Sequence, residues 1–229
     1  MRTLVVNADD FGLSDGVNAG VVRAHRYGIV TSASLMVHQP AARAAVEAAR
    51  DQPRLSLGLH IDLAEWQHCG GEWRRVYAWT DESDPAAVAR ESARQIELFR
   101  KLVGRLPSHL DSHQHVHREE PLRSILSRTA RDLRVPLRHH SAVRYCGGFY
   151  GQGRSGEPMP EAITASALAA LILELPDGVT ELGCHPAERV ESSWAYGVER
   201  TMELEALCQP SVRRAIADAN VRLASFLEL

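Results

Sequence analysis

Ionisable side chains recur in this chain at the places where short apolar runs end. Asp9 and Asp10 follow Leu4–Asn7, His60 lies in Leu55–Ile61, His113, His115 and His117 follow Ser108–Asp111, and His185 follows Val179–Cys184. One carboxylate and two neutral imidazoles are a common way to hold a catalytic divalent ion with positions left for water and substrate. Asp10, His60 and His113 supply that set. The neighbouring Asp9 points to another side of the backbone turn and is available as a base toward water, which a divalent ion makes more acidic while polarising a carbonyl. His185 is the best remaining general acid for a departing amine, because an imidazole exchanges protons near neutral pH, and Pro186 holds its backbone extended. Asp111, two residues before His113, is spaced to accept from an imidazole on one strand face. Together these groups could attack an amide.

Each group also has an ordinary structural reading. Asp9-Asp10 alone suits an Asx turn or a helix cap. His60 alone suits a hydrogen-bonded core histidine. The His113, His115 and His117 series suits a solvated loop or an adventitious metal binder, and not all three can hold one ion without strain. We take His113 as the ligand, with His115 and His117 near the substrate or behind the ligands. His185 divides evenly between general acid and structural residue. Arg138 could bind a substrate oxygen, pair with a catalytic carboxylate or join a surface ion pair. His38, His68, His139 and His140 read as ordinary.

The elements that must position these residues alternate between strand and helix. Leu4–Asn7, Val30–Val37, Leu55–Ile61, Ser108–Asp111, Val135–Arg138 and Val179–Cys184 read as strands. Ser14–Tyr27, Pro40–Asp51, Pro85–Val103, Glu119–Leu133 and Glu161–Leu175 read as helices. Ser14 or Asp15 suits the first helix cap and Gly28 its stop. This alternation predicts an α/β fold with a parallel sheet or barrel and reactive groups at the carboxyl ends of its strands. Ala64–Asp84 and Ser141–Pro160 break the rhythm and read as long functional loops.

At 229 residues, residues 1–229 suit a single domain. A net charge of −3 and 24% charged residues give no large positive field, so nucleic acid is an unfavoured partner. The start of the chain turns polar too early for a signal peptide and no apolar run reaches membrane-spanning length, which predicts a cytoplasmic protein with no membrane partner. Cys69, Cys146, Cys184 and Cys208 are scattered and read as reduced packing residues. The single lysine, Lys101, falls mid-helix.

Five segments carry a family resemblance: Asn7-Ala8-Asp9-Asp10-Phe11-Gly12, Gly28-Ile29-Val30-Thr31-Ser32-Ala33-Ser34, Gly58-Leu59-His60, His109 to His117, and Cys184-His185-Pro186. In this order they resemble the YdjC-like carbohydrate deacetylases, over nearly the whole chain. The resemblance implies a deformed TIM-type (β/α) barrel, metal on Asp10, His60 and His113, Asp9 as base, and hydrolysis of the acetyl group of an N-acetylated sugar. It admits magnesium as the single divalent ion, whereas the mixed oxygen and nitrogen donors suit zinc, cobalt or iron. The segment between His60 and the Pro85 helix is shorter than in longer members, and the glycine-rich 141–160 loop also differs; both are expected to shape the sugar site. Trp66, Trp73 and Trp79 could stack on sugar rings or anchor local packing. A metal-dependent phosphoesterase would want several metals and a phosphate-binding lysine or glycine nest, and a non-catalytic sugar-binding module would lack the base that Asp9 supplies. A homodimer is compatible with a barrel.

Overall fold

The computed structural model describes residues 1–69, 71–153, 155–190 and 195–229, with Cys69 described by its backbone alone. Its elements are β1 (Arg2–Phe11), α1 (Asp15–Tyr27), β2 (Ser32–Leu35), α2 (Ala42–Arg50), β3 (Ser56–Ile61), β4 (Ala64–Cys69), β5 (Glu72–Ala78), α3 (Pro85–Val103), β6 (Leu110–Ser112) and α4 (Leu122–Leu133). Then come β7 (Arg144–Cys146), α5 (Ala165–Leu173), β8 (Gly178–Cys184), α6 (Val198–Leu207), α7 (Pro210–Asp218) and β9 (Val221–Leu223). The parallel strands run in the order β6-β3-β2-β1-β8-β7, with β9 also on β1. One edge of β1 takes β9 at Arg2–Leu4 and β2 from Asn7 onward, while the other takes β8 along Arg2–Ala8. The sheet curls into a half-barrel surrounded by helices, a deformed (β/α) barrel.

Local chemistry explains the helix boundaries. Ser14 caps α1 by accepting from the Val17 N–H at 3.2 Å, and Asp84 caps α3 by accepting from Ala86 at 2.8 Å. Gly104, at φ 81°, ends α3 in the left-handed conformation that glycine adopts without a Cβ clash. The apolar faces meet in one core that includes Leu4, Phe11, Leu59, Phe99, Leu110 and Leu182. Each fully buried side chain of that size contributes about 1.5–3 kcal/mol relative to exposure. Gly58 in β3 leaves space for the buried His109 ring, since a Cβ there would lie 2.3 Å from its Cε1.

Several sequence-based expectations change. β1 continues through Asp9 and Asp10, so both carboxylates lie inside the strand, not after it. The 64–84 segment is not an irregular loop but an antiparallel hairpin of β4 and β5, closed near Gly71, which has φ 88°. Val135–Arg138 is not a full strand; Pro136 has no N–H to donate, and the segment makes one isolated bridge, Leu137 to Leu110. Ser141–Pro160 contains β7, which adds to the sheet beside β8. The expected Glu161–Leu175 helix divides into a 3-10 turn, Pro160–Ile163, and α5, because Thr164 is extended at ψ 158° and caps α5. His113 does not continue a strand; it opens a 3-10 segment, His113–Arg118, in which Gln114 and His115 have φ of 51° and 54°. Cys146, Cys184 and Cys208 are free thiols, while the Cys69 side chain lies outside the described residues. Among the described residues no helix is long and apolar enough to cross a membrane.

Candidate active site

The carboxyl ends of β1, β3, β6 and β8 open into a cavity of about 1220 Å³ whose lining includes Asp9, Asp10, His60, His113 and His185. Asp10 has φ 63°, a left-handed conformation that few residues other than glycine adopt. Its Oδ1 lies 3.3 Å from His60 Nε2 and 3.2 Å from His113 Nδ1. That oxygen is buried and, among the described residues, makes no well-directed hydrogen bond, so three potential ligand atoms crowd around one point. One ligand atom from each residue lies within 4.8 Å of the others. Separations of 3.2 and 3.3 Å match the edges of a coordination shell with bonds of roughly 2.0–2.2 Å. The other oxygen, Oδ2, accepts from Arg200 at 2.6 Å.

Electrostatics favour a cation here. Burial opposes charge on His60, yet Asp111, Asp10 and Asp9 outweigh it and hold that imidazole up at about 10. Burial likewise opposes charge on His113, and Asp10 and Glu65 raise it well above the usual imidazole range. Negative charge around both rings is what a divalent ion would neutralise. The donor set therefore fits a metal.

Behind this set lies a buried polar layer. Asp111 Oδ1 holds His60 Nδ1 at 2.8 Å, so the carboxylate expected beside an imidazole serves His60. Asp111 Oδ2 accepts from the Ser34 hydroxyl at 2.9 Å. Arg138 is not at the surface: it is buried and donates to both oxygens of Asp9, at 2.6 and 2.7 Å. It also bonds Glu181 at 2.6 Å and lies 2.8 Å from Asp111. Burial alone would raise the Asp9 carboxyl, but Arg138 holds it well below the usual carboxylate range. Asn7 donates to Asp9 at 2.8 Å as well. Asp9 is thus ionised and fixed in direction, rather than loose at a turn.

His185 sits across the cavity floor, its Nε2 3.9 Å from Asp9 Oδ2 and its Nδ1 3.7 Å from Glu203 Oε1. Its ring meets Tyr150 and Tyr196 edge-on, and those two tyrosines stack at 4.4 Å. Glu203 is fully buried and accepts from the His185 backbone N–H and from the Tyr196 hydroxyl.

His115, His117 and His139 form a separate cluster with ligand atoms within 4.8 Å. His117 already uses both ring nitrogens, on Ser112 Oγ at 2.6 Å and the Arg138 carbonyl at 3.1 Å. His115 faces the cavity beside Tyr145, and burial holds its imidazole down at about 3, in the neutral form. Trp79 stands outside the cavity lining, half-exposed, with its indole N–H donating to buried Asp62 at 2.9 Å. Trp66 and Trp73 border the cavity.

A YdjC-like protein family model matches residues 3–218. This chain belongs to the YdjC-like family. The YdjC-like chain is 32% identical to a carbohydrate deacetylase of Geobacillus stearothermophilus, covering 99% of this chain and 98% of the relative. It is 31% identical to a chitooligosaccharide deacetylase of Klebsiella pneumoniae, covering 100% and 99%. A structure from Enterococcus faecalis, described as a candidate cellobiose-phosphate cleavage protein, superposes with a TM-score of 0.80 at 26% identity, over 99% of this chain and 98% of that one. A family 4 carbohydrate esterase of Streptomyces lividans shares the fold, with a TM-score of 0.59 at 13% identity over 96% and 91%.

Three polar residues of this YdjC-like site escaped the sequence reading. Glu65 bonds His113 Nε2 from the hairpin, Arg200 bonds Asp10, and Glu203 borders His185. Arg200 and Glu203 are buried on α6, where a charged residue on an apolar-periodic helix ordinarily marks the solvent face. For Glu65 the available signal was Gly70-Gly71 between two polar-aromatic runs, a hairpin-turn signature.

Proposed function

We propose that the protein is a divalent-metal-dependent deacetylase that hydrolyses the acetyl amide of an N-acetylated mono- or oligosaccharide, with residues 1–229 acting as one domain. The observation that carries this reading is the convergence of Asp10 Oδ1, His60 Nε2 and His113 Nδ1 on the cavity floor, with Asp9 and His185 beside them. The names of the Geobacillus and Klebsiella relatives support the substrate class.

In this reading Asp10, His60 and His113 hold the ion, zinc or magnesium being the foremost candidates. A bound divalent ion supplies Lewis acidity toward the amide carbonyl and toward water. Asp9, ionised and aimed by Arg138 and Asn7, accepts the proton of the attacking water. His185 donates a proton to the departing nitrogen, so that water and amide become acetate and a free amine. Tyr150 and Trp66 line the cavity with ring surface available to a sugar, and a cavity of about 1220 Å³ exceeds the usual ligand pocket of roughly 300–1,000 Å³.

The test is acetate release from N-acetylglucosamine, its 6-phosphate, diacetylchitobiose and other N-acetyl sugars, with EDTA-treated and metal-restored protein in parallel. Release that returns with metal supports the reading. No release from any sugar, with metal still bound, overturns it in favour of a binding module.

A further inference from the structure

His60 and His113 are built alike. Each turns one ring nitrogen toward Asp10 Oδ1 and gives the other to a carboxylate: His60 Nδ1 to Asp111 at 2.8 Å, and His113 Nε2 to Glu65. Asp111 comes from β6 of the parallel sheet, whereas Glu65 comes from the hairpin outside it. We propose that Glu65 is a positioning residue for the ion-binding face of His113, delivered by the β4–β5 hairpin. This rests on the reading of Asp10, His60 and His113 as the ion-binding set.

The hairpin is fastened so that Glu65 has little freedom. The Gln114 side-chain amide clamps the Trp66 backbone in both directions, donating to its carbonyl at 2.6 Å and accepting from its N–H at 3.2 Å. Residues adjacent in sequence to His113 and to Glu65 are therefore bonded to each other. On the opposite strand Tyr77 pairs in register with Glu65 and donates to Asp62 Oδ2 at 3.0 Å. Asp62 is fully buried, and the same oxygen accepts from Gln39 at 2.8 Å and Trp79 at 2.9 Å. The Glu65 side chain is 21% exposed and that of His113 13%, so their bond is sheltered from the screening that weakens surface pairs.

The physical effect is on the ring, not on the substrate. With an ion bound at Nδ1, a carboxylate on Nε2 keeps the ring proton on Nε2 and makes Nδ1 a better donor. Loss of such a partner ordinarily weakens metal affinity by about 10–100-fold.

The experiment is equilibrium dialysis of the metal-free full chain against cobalt(II), for the wild type, E65A, E65Q and H60A. Both Glu65 variants are expected to bind cobalt more weakly, E65A by about 10–100-fold and E65Q by less, because an amide oxygen can still accept from Nε2. E65Q has the same shape as the native residue and decides the matter if E65A does not fold. Wild-type affinity in E65Q together with loss in H60A overturns the role of Glu65 alone. A wild-type chain that takes up no cobalt, or an H60A chain that binds it as tightly as wild type, overturns the ion site and this inference with it.

Discussion

Arg138 grips Asp9 with both terminal nitrogens, at 2.6 and 2.7 Å. The same guanidinium serves Glu181 and Asp111, so one buried cation compensates three buried carboxylates. Burial pushes the Glu181 carboxyl up to about 7, against the pull of Arg138.

Removing that cation strands buried negative charge. Arg138→Met is expected to cost about 3–5 kcal/mol of stability and to abolish turnover. Arg138→Lys keeps the charge but cannot fork across Asp9, so it should fall between. Urea unfolding checks both; a methionine variant within 1 kcal/mol of wild type would contradict the arrangement.

The proposed ion-binding and base roles separate by substitution. His60→Ala is expected to lose bound metal and activity together. Asp9→Asn is expected to keep metal while turnover drops by about 10²–10⁴. Metal content by elemental analysis beside acetate release reads both, and an Asp9→Asn protein with a normal rate removes Asp9 from the chemistry.

If His185 protonates the leaving nitrogen, its loss depends on the leaving group. His185→Ala should lower amide hydrolysis by about 10²–10⁴ but leave an activated aryl acetate much less affected, since its phenolate departs without a proton. Equal losses on both substrates would assign His185 a structural task.

Stability should fall in mild acid. Burial holds the His109 imidazole down at about 4, against its ordinary 6.5. Between those values the unfolded His109 binds more protons than the folded one, so its contribution is full above pH 6.5 and declines as pH falls toward 4, while the raised Glu181 carboxyl opposes it in part between about 7 and 4.5. His109 alone accounts for about 3 kcal/mol. His115, His117 and His139 are lowered in the same direction by burial. Unfolding curves at pH 7 and pH 4.5 test this, with His109→Gln expected to flatten the slope; an unchanged slope refutes the assignment to His109.

The alternating strands and helices, and the placement of Asp10, His60 and His113 at strand ends, were legible because apolar period and polar termination are local signals. Glu65, Arg200 and Glu203 were not. Their partners stand 48, 190 and 18 residues away, and nothing local distinguishes a buried Glu or Arg from one in water. Arg138 was open for the same reason, since its partner Asp9 lies 129 residues away. The hairpin was missed because its strand β5 is exposed along most of its length, so hydrophobic alternation was absent.

The position of β1 bears on when activity arises as the chain is made. Two of its partners, β8 and β9, come late in the chain, and the register joins Arg2 to Gly178 and to Val221. During synthesis the strand that leads to Asp9 and Asp10 must wait for most of the polypeptide before both of its edges are filled, and such non-local pairing is slow to form. A ribosome-bound fragment stopped before Gly178 would carry Asp10, His60 and His113 with β2 beside β1, yet would leave the β8 edge of β1 unfilled, so the complete frame around the two carboxylates belongs to the late stages of synthesis.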